Sequence, residues 1–265
     1  MRQVPTLLLL HGGPGGGDHS WFKPLFGQLR DVAQVIYLDQ RGCGRSDRST
    51  QEHWNLAQWA DDVRAFCDAL EIQKPIVLGV SSGGAVVMTY ATRHPEHPGR
   101  LVVCGATARW RIDRVLNAFE RLGGSQAREI ARRFWEHPTY ESQVEYMWMA
   151  APLIVPLTQK RSFSERDAEF LKNHLANPFP NQEVQDFFSA EWKTFNLLPE
   201  LSHIECPTLV LSDADPLVGI EDAEDMVAAM PRQLVQHEHF PEAGHCIVGD
   251  SPERFFAVVR RFISA

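Results

Sequence analysis

Short apolar runs that end in glycine or polar residues recur along this chain, with helical periodicity between several of them. Thr6 to Leu10, Val32 to Leu38, Pro75 to Leu78, Leu101 to Cys104, Thr208 to Leu211 and Leu234 to Phe240 all have strand length. Between Trp54 and Leu70 the apolar positions are Leu56, Trp59, Ala60, Val63, Phe66, Cys67 and Leu70, three and four apart, which makes one helical face. An apolar helix is expected after the Pro75 run, to about His94, and further helices over Glu221 to Met230 and Pro252 to Ile263. Strand and helix in alternation mean a mostly parallel sheet with helices on both faces, an α/β architecture. From Arg111 to Leu201 strand signals are missing, helical pattern dominates, and Trp135, Trp148 and Trp192 occur. That stretch reads as a helical cap, residues 111–201, inserted into a core of residues 1–110 and 202–265. It is expected over the carboxyl ends of the strands, where open α/β sheets bind ligands.

At roughly 150 residues per domain, the 265 residues suit one such domain with its insertion. The balance of 26 basic against 34 acidic residues argues against nucleic acid as a partner, because phosphate binding needs concentrated Lys and Arg. Cys43, Cys67, Cys104, Cys206 and Cys246 are scattered without a C-x-x-C pair, so they read as reduced thiols in a cytoplasmic protein. The apolar stretch at Leu7 to Leu10 runs directly into His11-Gly12-Gly13 and is too short for a signal peptide. The longest one, Met147 to Leu157, contains Pro152 and Pro156 and is about half a membrane span, so no membrane partner is expected.

The segment that most directly carries chemistry is Gly79-Val80-Ser81-Ser82-Gly83-Gly84, between an apolar strand and an apolar helix. A serine on so sharp a strand-to-helix turn projects its hydroxyl above the sheet, and the glycines remove side chains that would clash. The helix starting there aims its amino-terminal N–H groups at the same place. Ser81 is therefore the candidate nucleophile; Ser82 is not, since Val80 would then stand at the first glycine position. A serine hydroxyl needs a base, and the base an acid. Of the 11 histidines, His245 sits in the loop after the strand ending at Phe240. Asp215 follows the Thr208 strand in Ser212-Asp213-Ala214-Asp215-Pro216, with Asp213 as the rival acid. The loop His11 to Gly17 offers backbone N–H groups to a substrate oxygen, and an oxyanion hole would pair one of them with the N–H of Ser82. No Gly-Lys-Ser/Thr follows that loop, the partial G-x-G at Gly42 to Gly44 meets Asp47, and His237 with His239 lack a third ligand. No cofactor or metal is implied.

His11 to Gly17, Asp39-Gln40-Arg41-Gly42-Cys43-Gly44-Arg45-Ser46, the Ser81 turn, the Asp215 loop and Gly244-His245 together resemble the proline iminopeptidase group of α/β-hydrolases. The resemblance implies the α/β-hydrolase fold, with Ser81 as nucleophile, His245 as base and Asp215 orienting it. It also implies Gly13 and Ser82 as the oxyanion donors. The chain order serine, aspartate, histidine agrees. Members usually open with a β-hairpin before the glycine-loop strand. Only five residues precede Thr6 here, so that amino-terminal hairpin is expected to be missing, leaving about six parallel strands with Val32 to Leu38 at an edge. In some members a glutamate follows the acid; here it is Pro216.

The expected function is cleavage of small aminoacyl or peptide amides through an acyl-enzyme. An esterase of the same fold and a ligand-binding receptor with an inert serine are the alternatives. Recognition of a substrate ammonium group would need a carboxylate in the cap, where Glu141, Glu145, Glu183 and Glu191 occur; Glu183 is the candidate, beside Trp135 and Trp148 as apolar walls.

Overall fold

The computed structural model describes residues 4–137, 139–154 and 181–265. Its sheet has six parallel strands in the order β2-β1-β3-β4-β5-β6. They are β1 (Thr6–Leu10), β2 (Gln34–Leu38), β3 (Ile76–Val80), β4 (Arg100–Cys104), β5 (Thr208–Asp213) and β6 (Val235–Phe240). As expected from the resemblance and the missing hairpin, the sheet is all parallel and β2 lies at an edge. A parallel strand covered on both faces needs apolar side chains at odd and even positions alike, which is why β1 reads Thr-Leu-Leu-Leu-Leu.

The two faces divide cleanly. Leu8, Leu10, Val77, Leu101, Val103 and Val210 pack against α1 (Leu56–Ala69), α2 (Ser82–Arg93) and α6 (Ile220–Ala229). Leu7, Leu9, Leu78, Val102 and Leu209 meet Phe22 and Phe26 on one side and Phe255, Val259 and Phe262 of α7 (Pro252–Ser264) on the other. Asn55 caps α1 by accepting the N–H of Gln58 at 2.9 Å. The predicted inner face of α1 is buried at Leu56, Trp59, Ala60, Val63 and Cys67, whereas Leu70 lies past the last turn and is exposed.

Three described helices follow β4 before the chain returns to the sheet: α3 (Ile112–Glu136), α4 (Tyr140–Ile154) and α5 (Gln182–Trp192). Val115, Phe119, Ile130, Phe134 and Tyr146 form an apolar cluster of their own between α3 and α4. Helix α3 is broken at Gly124, whose φ of 73° lies outside the helical range. Among the described residues no helix is long and apolar enough to cross a membrane.

Strand order places the site. The chain runs from β1 outward to β2, then returns past β1 to β3 and continues the other way. The loops leaving β1 and β3 therefore diverge from neighbouring strand ends, Leu10 pairing with Gly79, and open a crevice between them.

Candidate active site

Ser81 occupies that crevice. Its φ of 57° and ψ of −127° put a non-glycine residue in a sparsely populated region, at a cost of about 1–3 kcal/mol. The fold holds it there by a hydrogen bond from its N–H to Cys104 O at 2.9 Å and another from Gly84 N–H to its own carbonyl at 2.8 Å. The turn closes only because Gly79 and Gly83 are bare. A Cβ on Gly79 would lie 2.2 Å from Gly83 O, and one on Gly83 would lie 2.5 Å from Leu10 O. Helix α2 begins at Ser82, so its first N–H groups point into the crevice.

Two loops from the far half of the sheet line the same cavity as the serine. Ala214 N–H donates to Ala243 O at 3.0 Å, tying the turn after β5 to the turn after β6. Across this tie His245 Nδ1 forms an ion pair with a carboxylate oxygen of Asp215. The Asp215 side chain is fully buried, and its other oxygen accepts Leu217 N–H at 3.0 Å, which fixes the carboxylate plane. Burial disfavours a charged imidazole at His245, but the Asp215 carboxylate outweighs it, with Asp213 adding to the effect, and the pKa rises to about 9. The ion pair goes to Asp215 and not to Asp213, the other acid of the loop. Asp213 Oδ1 accepts Asp215 N–H at 2.9 Å, and burial, then the neighbouring Asp215, push the Asp213 carboxyl well up.

Ser81, Ser82, Gly13, Pro14 and His245 share the floor of one cavity of about 170 Å³. Its walls are Trp110, Phe134, Trp135, Tyr146, Phe188 and Trp192, with Leu217 and Val218 from the turn after β5. Among the described lining residues none carries a carboxylate or a basic chain other than His245.

A sequence model of the alpha/beta hydrolase fold family matches residues 5–252. The chain belongs to that family. It is 26% identical over 269 residues to RutD of Caulobacter sp. (strain K31), named as a carbamate hydrolase, covering 96% of this chain and 94% of that one. It is also 26% identical over 286 residues to a proline iminopeptidase of Levilactobacillus brevis, covering 99% of this chain and 89% of the relative. The crystal structure of a proline iminopeptidase from Mycobacterium smegmatis superposes with a TM-score of 0.75 at 23% identity, over 100% of this chain and 90% of that one, a likeness of fold. This α/β-hydrolase is an enzyme, and the relatives and neighbours with named activities are hydrolases.

Within that family frame the remaining sequence candidates separate. Trp135 lines the cavity. Trp148 lies on the outside of α4 with 57% of its surface exposed. The Glu183 side chain is 65% exposed, 3.9 Å from Arg48, and is not among the cavity walls. Glu145 pairs with Arg133 at 2.7 Å, and Glu191 accepts Leu56 N–H at 3.1 Å, joining α5 to the start of α1. Of the Met147 to Leu157 run, Met147 reaches the cavity, and residues from 155 on lie outside the described residues.

The glycine loop has a structural task that its sequence did not disclose. Asn181, at the head of α5, donates its N–H to Gly15 O at 2.9 Å and its Nδ2 to Gly42 O at 2.8 Å, while Arg48 donates to its Oδ1 at 2.8 Å. A Cβ on Gly15 would lie 2.3 Å from Asn181 O, so that glycine admits the helix α5 rather than a ligand. His11 is buried, and burial lowers its pKa. Its Nε2 accepts Gln40 N–H at 3.1 Å and its Nδ1 faces Gly12 O at 2.9 Å, so it is a neutral brace for the loop. Asp39 likewise accepts N–H groups from His19 at 2.6 Å and Arg45 at 2.9 Å. Asp18, His19 and Asp39 could in principle surround a cation, but these bonds already use both Asp39 oxygens.

Trp110, Phe134, Tyr146, Leu217 and Val218 are cavity residues that sequence reasoning did not single out as a set. Leu217 and Val218 had a usable signal, since they lie in the turn that leaves a strand's carboxyl end.

Proposed function

We propose that this enzyme is a serine hydrolase working through an acyl-enzyme on small acyl substrates with an apolar acyl part. The observation that carries the reading is Ser81, held in a strained turn in the same cavity as a histidine whose far nitrogen is paired with a buried aspartate. Ser81 Oγ attacks the carbonyl, and His245 Nε2 takes its proton while Asp215 keeps Nδ1 protonated and the ring oriented. The N–H groups of Gly13 and Ser82 receive the oxyanion. His245 then hands the proton to the leaving group, and water repeats the sequence to free the acid. The described helices α3, α4 and α5 of the cap wall the acyl group with aromatic rings and exclude water. Buried free thiols at Cys43, Cys67, Cys104 and Cys206 support a cytoplasmic setting.

The aromatic walls favour a neutral, hydrophobic acyl group, because an ammonium brought among them would lose its hydration without a described carboxylate in return. The aminopeptidase reading is favoured by a different observation, the pairing of His11 to Gly17 with Asp39 to Ser46 and the full-length likeness to a proline iminopeptidase. A parallel screen of short-chain p-nitrophenyl esters, free aminoacyl anilides and their N-acetylated forms separates the two, with Ser81→Ala as the blank. Equal rates on free and acetylated anilides with rapid ester cleavage establish the neutral-acyl reading; a strong preference for the free amine overturns it. Absence of labelling by a fluorophosphonate would remove the serine mechanism altogether.

A further inference from the structure

Two hydrogen-bond donors stand unanswered in the roof of the cavity. Tyr146 on α4 and Trp135 on α3 both line it, and their rings pack edge to face with centroids 6.0 Å apart. Tyr146 Oη and Trp135 Nε1 are buried, and neither has a hydrogen-bond partner among the described residues. Buried polar atoms are nearly always paired, and an unpaired one gives up its hydration with nothing in return. Packing does not call for these atoms. Tyr146 stacks on Phe134 with centroids 4.2 Å apart and planes at 16°, a contact that a phenylalanine would make equally well. Gln185 Oε1, an acceptor on the α5 wall, is unpaired too and meets neither donor. Burial, then the Asp215 charge, push the Tyr146 hydroxyl well up, so it keeps its proton, and the nearby Trp135 N–H acts on it in the opposite sense. The two groups are neighbours that both offer a hydrogen, and both lack an acceptor.

We propose that Trp135 and Tyr146 are specificity-determining residues that receive an uncharged oxygen, a ketone or an ether, carried by the acyl part of the substrate. The proposal rests on the serine-hydrolase reading above and narrows its substrates to apolar acyl groups bearing one such acceptor. The lone pairs of that oxygen answer the indole N–H and the phenol O–H together. A carboxylate fits less well, because no described lining residue other than His245 can carry a positive charge and the Asp215 charge already acts on Tyr146. The rings are held by side-chain packing, and rotamer adjustment on binding is common, so an entering acyl chain needs to part them by a small shift to bring its oxygen to the donors. A hydrocarbon chain would fill the same space and leave both donors unpaired. Sites with buried hydrogen-bonding groups discriminate strongly against such analogues.

The test compares kcat/KM on p-nitrophenyl pentanoate, p-nitrophenyl levulinate, which carries a ketone on the same chain, and the mono-p-nitrophenyl ester of succinic acid, each with Ser81→Ala as the blank. The enzyme should prefer the levulinate to the pentanoate by at least about tenfold. Tyr146→Phe, which keeps the ring stack, should erase that preference while changing pentanoate cleavage by less than about twofold, and Trp135→Phe should reduce it by about threefold or more. A purely structural role would slow both esters alike. An unchanged ratio in Tyr146→Phe, or a preference for the pentanoate in the unaltered enzyme, overturns the proposal. So does a preference for the succinate monoester, which would assign the donors to an anion. A second measurement needs no turnover: butanone, titrated while the indole N–H proton resonances are followed, should move the Trp135 signal downfield, with Trp135→Phe supplying the assignment. No movement up to the solubility limit of the ketone overturns the proposal as well. Absence of both ester turnover and fluorophosphonate labelling, with the ketone shift present, removes the serine-hydrolase reading while upholding the donor pair.

Discussion

The floor and the roof of the cavity are built by different physics. Below, Ser81 is held by backbone: a left-handed φ, hydrogen bonds to Cys104 and Gly84, and glycines that leave no room for a Cβ. Above, the rings on α3 and α4 meet by side-chain packing, as in the stacked pair Phe134 and Tyr146 with centroids 4.2 Å apart. Backbone closeness tolerates one residue type, whereas ring packing accepts others of similar volume. The floor thus fixes which bond chemistry is possible, and the roof selects what is brought to it.

The largest expected break of this division is at the floor. Ser81→Ala and His245→Ala should each lower kcat by about 10⁴-fold or more, with the double variant hardly worse, because the groups act as a unit. A double variant much slower than either single one would mean that they act separately. Next comes Gly79→Ala, whose methyl would press on Gly83 O. We expect it to cost about 3 kcal/mol or more, or to prevent folding, as read by denaturant unfolding. A change below about 0.5 kcal/mol would show that the turn can open without harm.

The pH dependence sharpens the floor further. His245 acts as a base only when neutral, and its pKa is raised to about 9, so kcat/KM should fall as pH drops below that value. Asp215→Asn should move this limb down toward the ordinary histidine range. The linked stability has a definite sign. A raised histidine pKa contributes stability that is complete below about pH 6.5 and is lost as pH rises through about 9. His245→Gln should therefore flatten the decline in stability over that window, measured by unfolding at several pH values.

These differences also explain what could be read from sequence. The inner strands β1, β3, β4 and β5, buried on both faces, give apolar runs and were legible as such; the edge strand β6 reads Val-Gln-His-Glu-His-Phe and carries a weaker signal. The ends of the inner strands were less legible: β3 continues through Gly79 and Val80, and β5 through Ser212 and Asp213, where polar and small residues serve the site. The elbow was legible because its glycines are obligatory. In the roof, α4 carries Tyr146, Met147, Trp148 and Met149 consecutively, and such a run does not say which side faces inward. Tyr146 is buried and Trp148 is exposed. The use of Gly15 by Asn181 joins residues far apart in the chain, and no local pattern announces it. The break of α3 at Gly124 rests on one φ value that the surrounding helical periodicity conceals.

Changes in the roof should move specificity rather than chemistry. Phe188→Ala and Trp135→Ala each remove a wall of the cavity. Both should raise KM for a bulky apolar ester by about tenfold, the loss from about 1–2 kcal/mol of apolar contact, while acetyl ester cleavage changes little. A matching fall in kcat for both substrates would instead tie the roof to the alignment of the floor.

The smallest expected effect is at Glu183, and it separates the two readings of the roof. Its side chain stands 65% exposed near Arg48, whose nearest nitrogen is 3.9 Å away with 63% of its own side chain exposed. A pair so open to water contributes about 0–1 kcal/mol, and neither partner belongs to the cavity walls. An ammonium group drawn to Glu183 would have to leave the aromatic enclosure for the surface, carrying its carbonyl away from Ser81. Glu183→Gln should therefore change the ratio of rates on free and N-acetylated anilides by less than about twofold. A tenfold fall in that ratio, with ester cleavage unchanged, would assign Glu183 a direct part in reading the substrate amine and restore the aminopeptidase reading.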